Sequence, residues 1–316
     1  MLNSRRDFLK QSAWIGGFSV LGLTNLSWQT TRKRKIIVDA DTANEVDDLF
    51  AIVRAILEPG FQLEAITSAQ WHTQERAPND TVGASQKLNE DIVRLMNRTD
   101  IPLPEGSNFP MVNTHRPQPS DAADFIIETA RKCSTEEKLS VVILGPATNI
   151  ASAVLLAPDI IPKLAVYYLG FWHHPETNTW SKREFNTNND PNAVNALINT
   201  YGLEFHVMTA STSQHLVFQK SIVDQHLKGK GGIADYLVNR WENYDRFWQE
   251  TDKEKQRWIM WDVAIIEALA SPDLAEEKEF MSPHDNLART IKAYTKIDAA
   301  QMEAKFWAYL DAIVVD

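Results

Sequence analysis

The sequence predicts an α/β fold, a mostly parallel open sheet with helices on both faces. Two features carry that prediction. Short apolar runs such as Ile36-Ile37-Val38 read as strands buried on both faces, and each is followed by a segment with apolar residues at helical spacing. This strand–helix alternation continues to about residue 208 without an internal repeat or a low-complexity linker.

In chain order, a strand at Ile36–Val38 leads into an amphipathic helix over 47–57, LFAIVRAIL being its clearest part. Leu63–Ala69 leads into a helix from about Thr81 to Asn97, and Val141–Leu144 into one from Asn149 to Leu156. Leu164–Leu169 is followed by a polar excursion, a helix over 190–200 and a strand at Glu204–Met208. The excursion, FWHHPETNTWSKREFNTNN (171–189), carries neither period and reads as a long functional loop. Beyond Ser221 the pattern reads as helical, with Trp241, Tyr244 and Trp248 spaced to share one helix face.

Composition is that of a globular protein, with 44% hydrophobic and 23% charged residues, and residues 31–316 are long enough for a single large catalytic domain. A net charge of -10 argues against nucleic acid and anionic membranes as partners. Residues 1–30 stand apart. Ser4-Arg5-Arg6-Asp7-Phe8-Leu9-Lys10 followed by a modest apolar stretch has the pattern of a twin-arginine export signal, implying a periplasmic or extracellular protein. That stretch is too short and too polar for a stable membrane anchor, and the lone Cys133 cannot form an internal disulfide.

The chemistry concentrates between Lys35 and Ala51, where Asp39, Asp41, Glu45, Asp47 and Asp48 lie between the first strand and its helix. Carboxylates this close repel one another unless a cation, a proton or a hydrogen-bond donor offsets them. Their position at the carboxyl end of a parallel strand is where open α/β sheets bind ligands. Spacing alone leaves two readings open. Asp39-Ala40-Asp41-Thr42 matches the DxDxT motif of haloacid-dehalogenase-like phosphatases, with Asp39 as nucleophile and Asp41 as acid/base. In the other, Asp41, Asp47 and Asp48 converge on one hard, oxygen-loving metal ion. Helix-dipole stabilisation accounts for Asp47 or Asp48 but not for the whole cluster.

Four separated motifs decide between them. Asp39-Ala40-Asp41 with Asp47-Asp48-Leu49-Phe50-Ala51-Ile52, Gly145-Pro146-Ala147-Thr148-Asn149-Ile150-Ala151, Glu184-Phe185-Asn186 with Asp190-Pro191, and Trp261-Asp262-Val263-Ala264 occur in this order. Together the chain resembles the inosine/uridine-preferring nucleoside hydrolase family across most of residues 35–270. The resemblance implies a calcium ion held by Asp41, Asp48, Asp262 and the backbone carbonyl of Leu144, with Asp41 also the general base toward the attacking water. It implies that Asp47, Asn178, Glu184 and Asn186 bind ribose hydroxyls, and that Asp39 is a buried structural acid. An all-oxygen ligand set without a Cys/His cluster favours calcium over zinc.

The implied activity is calcium-dependent hydrolysis of the N-glycosidic bond of ribonucleosides. Trp261, where many relatives with broad or pyrimidine specificity carry His, resembles the purine-preferring branch, whose aromatic residues stack on the base. Trp71, Trp172 and Trp248 are further stacking candidates, and His72 and His115 candidate proton donors. Family members are commonly dimers or tetramers, so a homo-oligomer is implied. The chain departs from the family in two extra residues within Thr42–Val46, in Trp71-His72 where the family has glycine and a ribose-binding asparagine, and in a loop 171–183 without the family's glycines. The runner-up readings are the phosphatase and a non-catalytic nucleoside- or sugar-binding protein.

Overall fold

The computed structural model describes residues 32–247 and 249–314, so the export-signal segment and Trp248 lie outside the described residues. Along the chain run β1 (Arg34–Ala40), α1 (Asp47–Leu57), β2 (Phe61–Ser68), α2 (Thr81–Leu95), α3 (Asp121–Arg131), β3 (Leu139–Ile143), α4 (Thr148–Leu156), β4 (Leu164–Leu169), β5 (Trp172–His174) and β6 (Thr179–Ser181). Then come α5 (Phe185–Asn189), α6 (Pro191–Ile198), β7 (Glu204–Met208), α7 (Ala210–Ser213), β8 (Val217–Gln219), α8 (Lys220–Leu227) and α9 (Gly232–Asn243). The last elements are β9 (Arg257–Ile259), α10 (Trp261–Ala270), β10 (Ala275–Met281), β11 (Thr290–Ile297) and α11 (Ala299–Val314).

Seven of the described strands form one sheet in the order β10-β11-β7-β4-β3-β1-β2. All its neighbours are parallel except the terminal β10–β11 pair. The continuous apolar runs have a simple cause. Alternate residues of each central strand enter different cores: Ile36, Val38 and Ala40 pack with Leu49, Phe50, Ile265 and Phe306, whereas Ile37 packs with Ile126, Ile150 and Leu197. Because β1 lies between β2 and β3, the chain reverses direction of travel across the sheet there. That switch point opens a crevice at the strands' carboxyl ends.

Three expectations are corrected. The 171–189 stretch is not a patternless loop: β5 and β6 form an antiparallel hairpin, followed by α5. Its strands are held by ring contacts, Trp180 stacking on His173 at 3.8 Å and meeting Phe171 edge-on at 5.5 Å, which local periodicity does not encode. The region beyond Ser221 is not wholly helical, since it also supplies β9 and the β10–β11 edge pair. The edge strand AEEKEFM is mostly exposed and charge-rich, which protects a free edge but erases the apolar alternation that marks a strand. Finally, α9 ends at Asn243, so Tyr244, with extended φ/ψ of -65°/130°, does not continue Trp241's helix face.

Candidate active site

The acids arrive from three directions. β1 ends at Ala40 and delivers Asp41, α1 begins with Asp47 and Asp48, and α10 brings Asp262 in its first turn. The two helices are joined below the site by a buried ion pair, Arg54 Nε to Glu267 Oε1 at 2.6 Å, and Arg54 also reaches Glu58 at 2.8 Å. Above it, the Asp262 backbone N–H donates to Asp47 Oδ2 at 3.1 Å. Residues more than two hundred positions apart thereby share one cavity.

That cavity, about 260 Å³, is lined by Asp41, Asp47, Asp48, Asp262 and Leu144. Trp172 and Trp261 also line it, edge to face with ring centres 6.0 Å apart. Glycine at 145 is required sterically, because a Cβ there would lie 2.8 Å from Asp41 Oδ1.

The next part of the same motif works through Asn149, whose Nδ2 donates to Asp39 Oδ1 at 2.8 Å and to Ser68 O at 3.1 Å. With Thr67 Oγ1 donating at 2.5 Å, these bonds pull the Asp39 carboxyl down, but burial outweighs them and lifts it to about 6. Asp39 is 0% exposed and does not line the cavity, so it cannot meet a substrate as a phosphatase nucleophile.

The other acids are strongly coupled. Burial, followed by the charge of Asp48, pushes Asp41 well above the ordinary carboxylate range and Asp47 to about 7. Burial and then Glu45 raise Asp48 to about 7, and burial and then Asp47 raise Glu45 to about 8. Asp262 is lifted well above its ordinary value by burial and then by Asp48 and Asp47. Such an arrangement asks for a cation. Asp47, Asp48 and Asp262 each place an oxygen within 4.8 Å of the others. Asp41 Oδ2, Asp48 Oδ1 and Asp262 Oδ1 are buried without a hydrogen-bond partner. An all-oxygen donor set with unused buried oxygens fits a hard divalent ion.

A prediction follows for the protein stripped of divalent ions. Ordinary carboxylates titrate near pH 4, so raised native values mean that the folded state binds more protons than the unfolded one between about pH 4 and 8. Stability is therefore expected to fall as pH rises through that window. Saturating calcium should flatten the slope, measured as urea midpoints at several pH values; equal slopes with and without calcium would reject a cation-balanced cluster.

Of the three other residues expected at the sugar, Glu184 and Asn186 line the cavity and Asn178 does not. Glu184 lines the cavity, and its carboxylate also caps α5, accepting from Asn186 N and Thr187 N, both at 2.9 Å, and from Phe171 N at 3.3 Å. Asn186 also lines the cavity, and its Nδ2 donates to Leu144 O at 2.6 Å and Leu169 O at 3.2 Å, drawing the ends of β3 and β4 together. A carbonyl has two lone pairs, so Leu144 keeps one to offer.

Asn178 is not brought to this cavity. It occupies the left-handed position of the β5–β6 turn (φ 47°), bonded to Trp180 Nε1 at 2.9 Å and Met281 O at 3.1 Å. Trp71 is 5% exposed and donates to Thr81 O, His72 stacks on Phe109, and neither they nor His115 line the cavity. Sequence reasoning assigned no role to Asn44, Glu45 or Arg183, which do line it. For Glu45 the visible signal was its place within the acidic cluster.

The family model for the inosine-uridine preferring nucleoside hydrolases matches residues 36–305. A probable uridine nucleosidase 2 of Arabidopsis thaliana is 24% identical over 230 residues, covering 65% of this chain and 68% of the relative. The pyrimidine-specific ribonucleoside hydrolase RihA of Escherichia coli is 28% identical over 181 residues, covering 50% of this chain and 55% of its own. Among solved structures, a plant nucleoside hydrolase superposes with a TM-score of 0.69 at 19% identity, covering 88% of this chain and 99% of that one. A purine-preferring ribonucleoside hydrolase from Gardnerella vaginalis gives 0.68 at 18%, covering 89% and 99%. These structural likenesses show the same fold, and with a family model matched from the first strand almost to the end, the chain belongs to the inosine-uridine preferring nucleoside hydrolase family.

Proposed function

We propose that this protein hydrolyses the N-glycosidic bond of ribonucleosides, with a purine preference and a requirement for calcium. The observation that carries the reading is the convergence of three unpartnered acid oxygens, on Asp41, Asp48 and Asp262, in one cavity with Trp172 and Trp261. Asp41, Asp48, Asp262 and the Leu144 carbonyl would hold calcium. When bound, the ion supplies positive charge that grips sugar hydroxyls and makes a water easier to deprotonate.

The chain's own groups perform the remaining work. Asp41 takes the proton of the attacking water, and Asp47 accepts a hydrogen bond from a ribose hydroxyl. The acidic wall favours the positive charge that develops on the sugar as the bond to the base breaks. Asn186 keeps Leu144 and Leu169 in register beneath the sugar. Trp261 and Trp172 offer ring surface to a departing base, and the larger face of a purine gains more from it.

The test is base release from inosine and uridine before and after chelation. Higher kcat/KM on inosine, abolished by chelator and restored by calcium, is the expected result. Trp261→Ala should cost inosine about five- to a hundredfold, the range for loss of one base–aromatic stack. Faster release from uridine would reject the purine preference, and chelator-insensitive turnover would reject the metal.

A further inference from the structure

We propose that Glu45, on the loop Thr42–Val46, contacts the substrate directly by accepting a hydrogen bond from one hydroxyl of the sugar. This rests on the nucleoside hydrolase reading above and adds a specificity-determining residue to it.

The loop that carries Glu45 is held from α9 and from the chain after it. Arg240 of α9 reaches across and donates from Nη2 to Ala43 O at 2.7 Å and to Glu45 O at 2.8 Å, and from Nε to Glu45 O at 3.1 Å. Asn44 N closes a turn onto Asp41 O at 2.7 Å, and the Tyr244 hydroxyl donates to Asn44 O. The Glu45 side chain is aimed separately: Trp258 Nε1, just before α10, donates to Oε2 at 3.1 Å. The result is a fixed carboxylate lining the cavity.

Chemistry points from that geometry to a ligand. A carboxylate placed beside other buried carboxylates is costly, and here its hydrogen-bond partner is a single neutral indole N–H, the nearby Arg240 donating to backbone carbonyls instead. Among the described residues no donor reaches Oε1. Asp47, proposed above to accept from a ribose hydroxyl, lines the same cavity two residues along the chain. A sugar hydroxyl is the donor such an oxygen takes. At the end of β2, Trp71 donates to Thr81 O and does not line the cavity, whereas the loop after β1 lines it through Asn44 and Glu45.

The experiment compares the parent protein with Glu45→Gln on inosine and on 2′-deoxy-, 3′-deoxy- and 5′-deoxyinosine. It is read as kcat/KM or, for a slow analogue, as its inhibition constant against inosine. In the variant the Trp258 N–H takes the single amide oxygen, leaving an NH2 group toward the sugar. Loss of the charge-assisted bond should lower kcat/KM, or raise the inhibition constant, about tenfold on every substrate that keeps the partner hydroxyl, and hardly change it on the one analogue that lacks it. Glu45→Asp, which withdraws the carboxylate by one methylene while keeping its charge, should show the same selective pattern and serves if Glu45→Gln does not fold. Equal losses on all four compounds, or no loss on any, would overturn the assignment. A parent protein that releases no base from inosine instead removes the proposed function, and this inference with it.

Discussion

Asp41→Asn is expected to lower kcat on the preferred nucleoside by about a hundred- to ten-thousandfold, the usual contribution of a general base. Asparagine is nearly isosteric and keeps one oxygen for a ligand, but it cannot take a proton. The site tolerates little else: Asp41 is 2% exposed, follows directly from β1 and lies against Gly145. Single-turnover base release reports the chemical step, and the rise in Tm on adding calcium reports the ligand role separately. A large loss in rate with calcium-dependent stabilisation retained is the predicted combination. Wild-type turnover would show that the proton goes elsewhere.

Glu267→Ala is expected to cost about 3 kcal/mol of stability, the low end for breaking a buried pair, because it leaves the buried Arg54 guanidinium with Glu58 alone. Arg54 is 1% exposed and Glu267 0%, and the pair joins α1 to α10, the helices whose first turns carry Asp47, Asp48 and Asp262. Arg54 also lies over the Tyr309 ring at 4.0 Å. Urea unfolding measures the loss. Glu267→Gln, which keeps an acceptor, should lose less. A loss under about 1 kcal/mol would show that hydrophobic packing alone aligns the two helices.

The central sheet was legible because its strands are buried on both faces. The runs around Ile36, Val141 and Leu164 are almost wholly apolar because both faces are buried, so local composition reports tertiary position. Helix α1 was legible to its residue limits for a related reason: its apolar stripe starts directly after Asp47-Asp48 and stops before Pro59-Gly60. The short β5–β6 hairpin, by contrast, also rests on Phe280, whose ring meets His173 edge-on from more than a hundred residues away. No window of sequence contains both sides of such a contact.

By itself, then, the sequence determined the parallel α/β core and the acids at the end of its first strand, because burial period and covalent adjacency are local properties. Only the tertiary structure decided which acids meet. It brings Asp262 beside Asp47, turns Glu184 into the cap of α5, sends Asn178 into a hairpin turn, and swings Glu45 into the cavity under Arg240 and Trp258. The physical reason is that a polar side chain takes whichever partner the fold brings within about 3 Å, and that choice depends on elements far away in the chain.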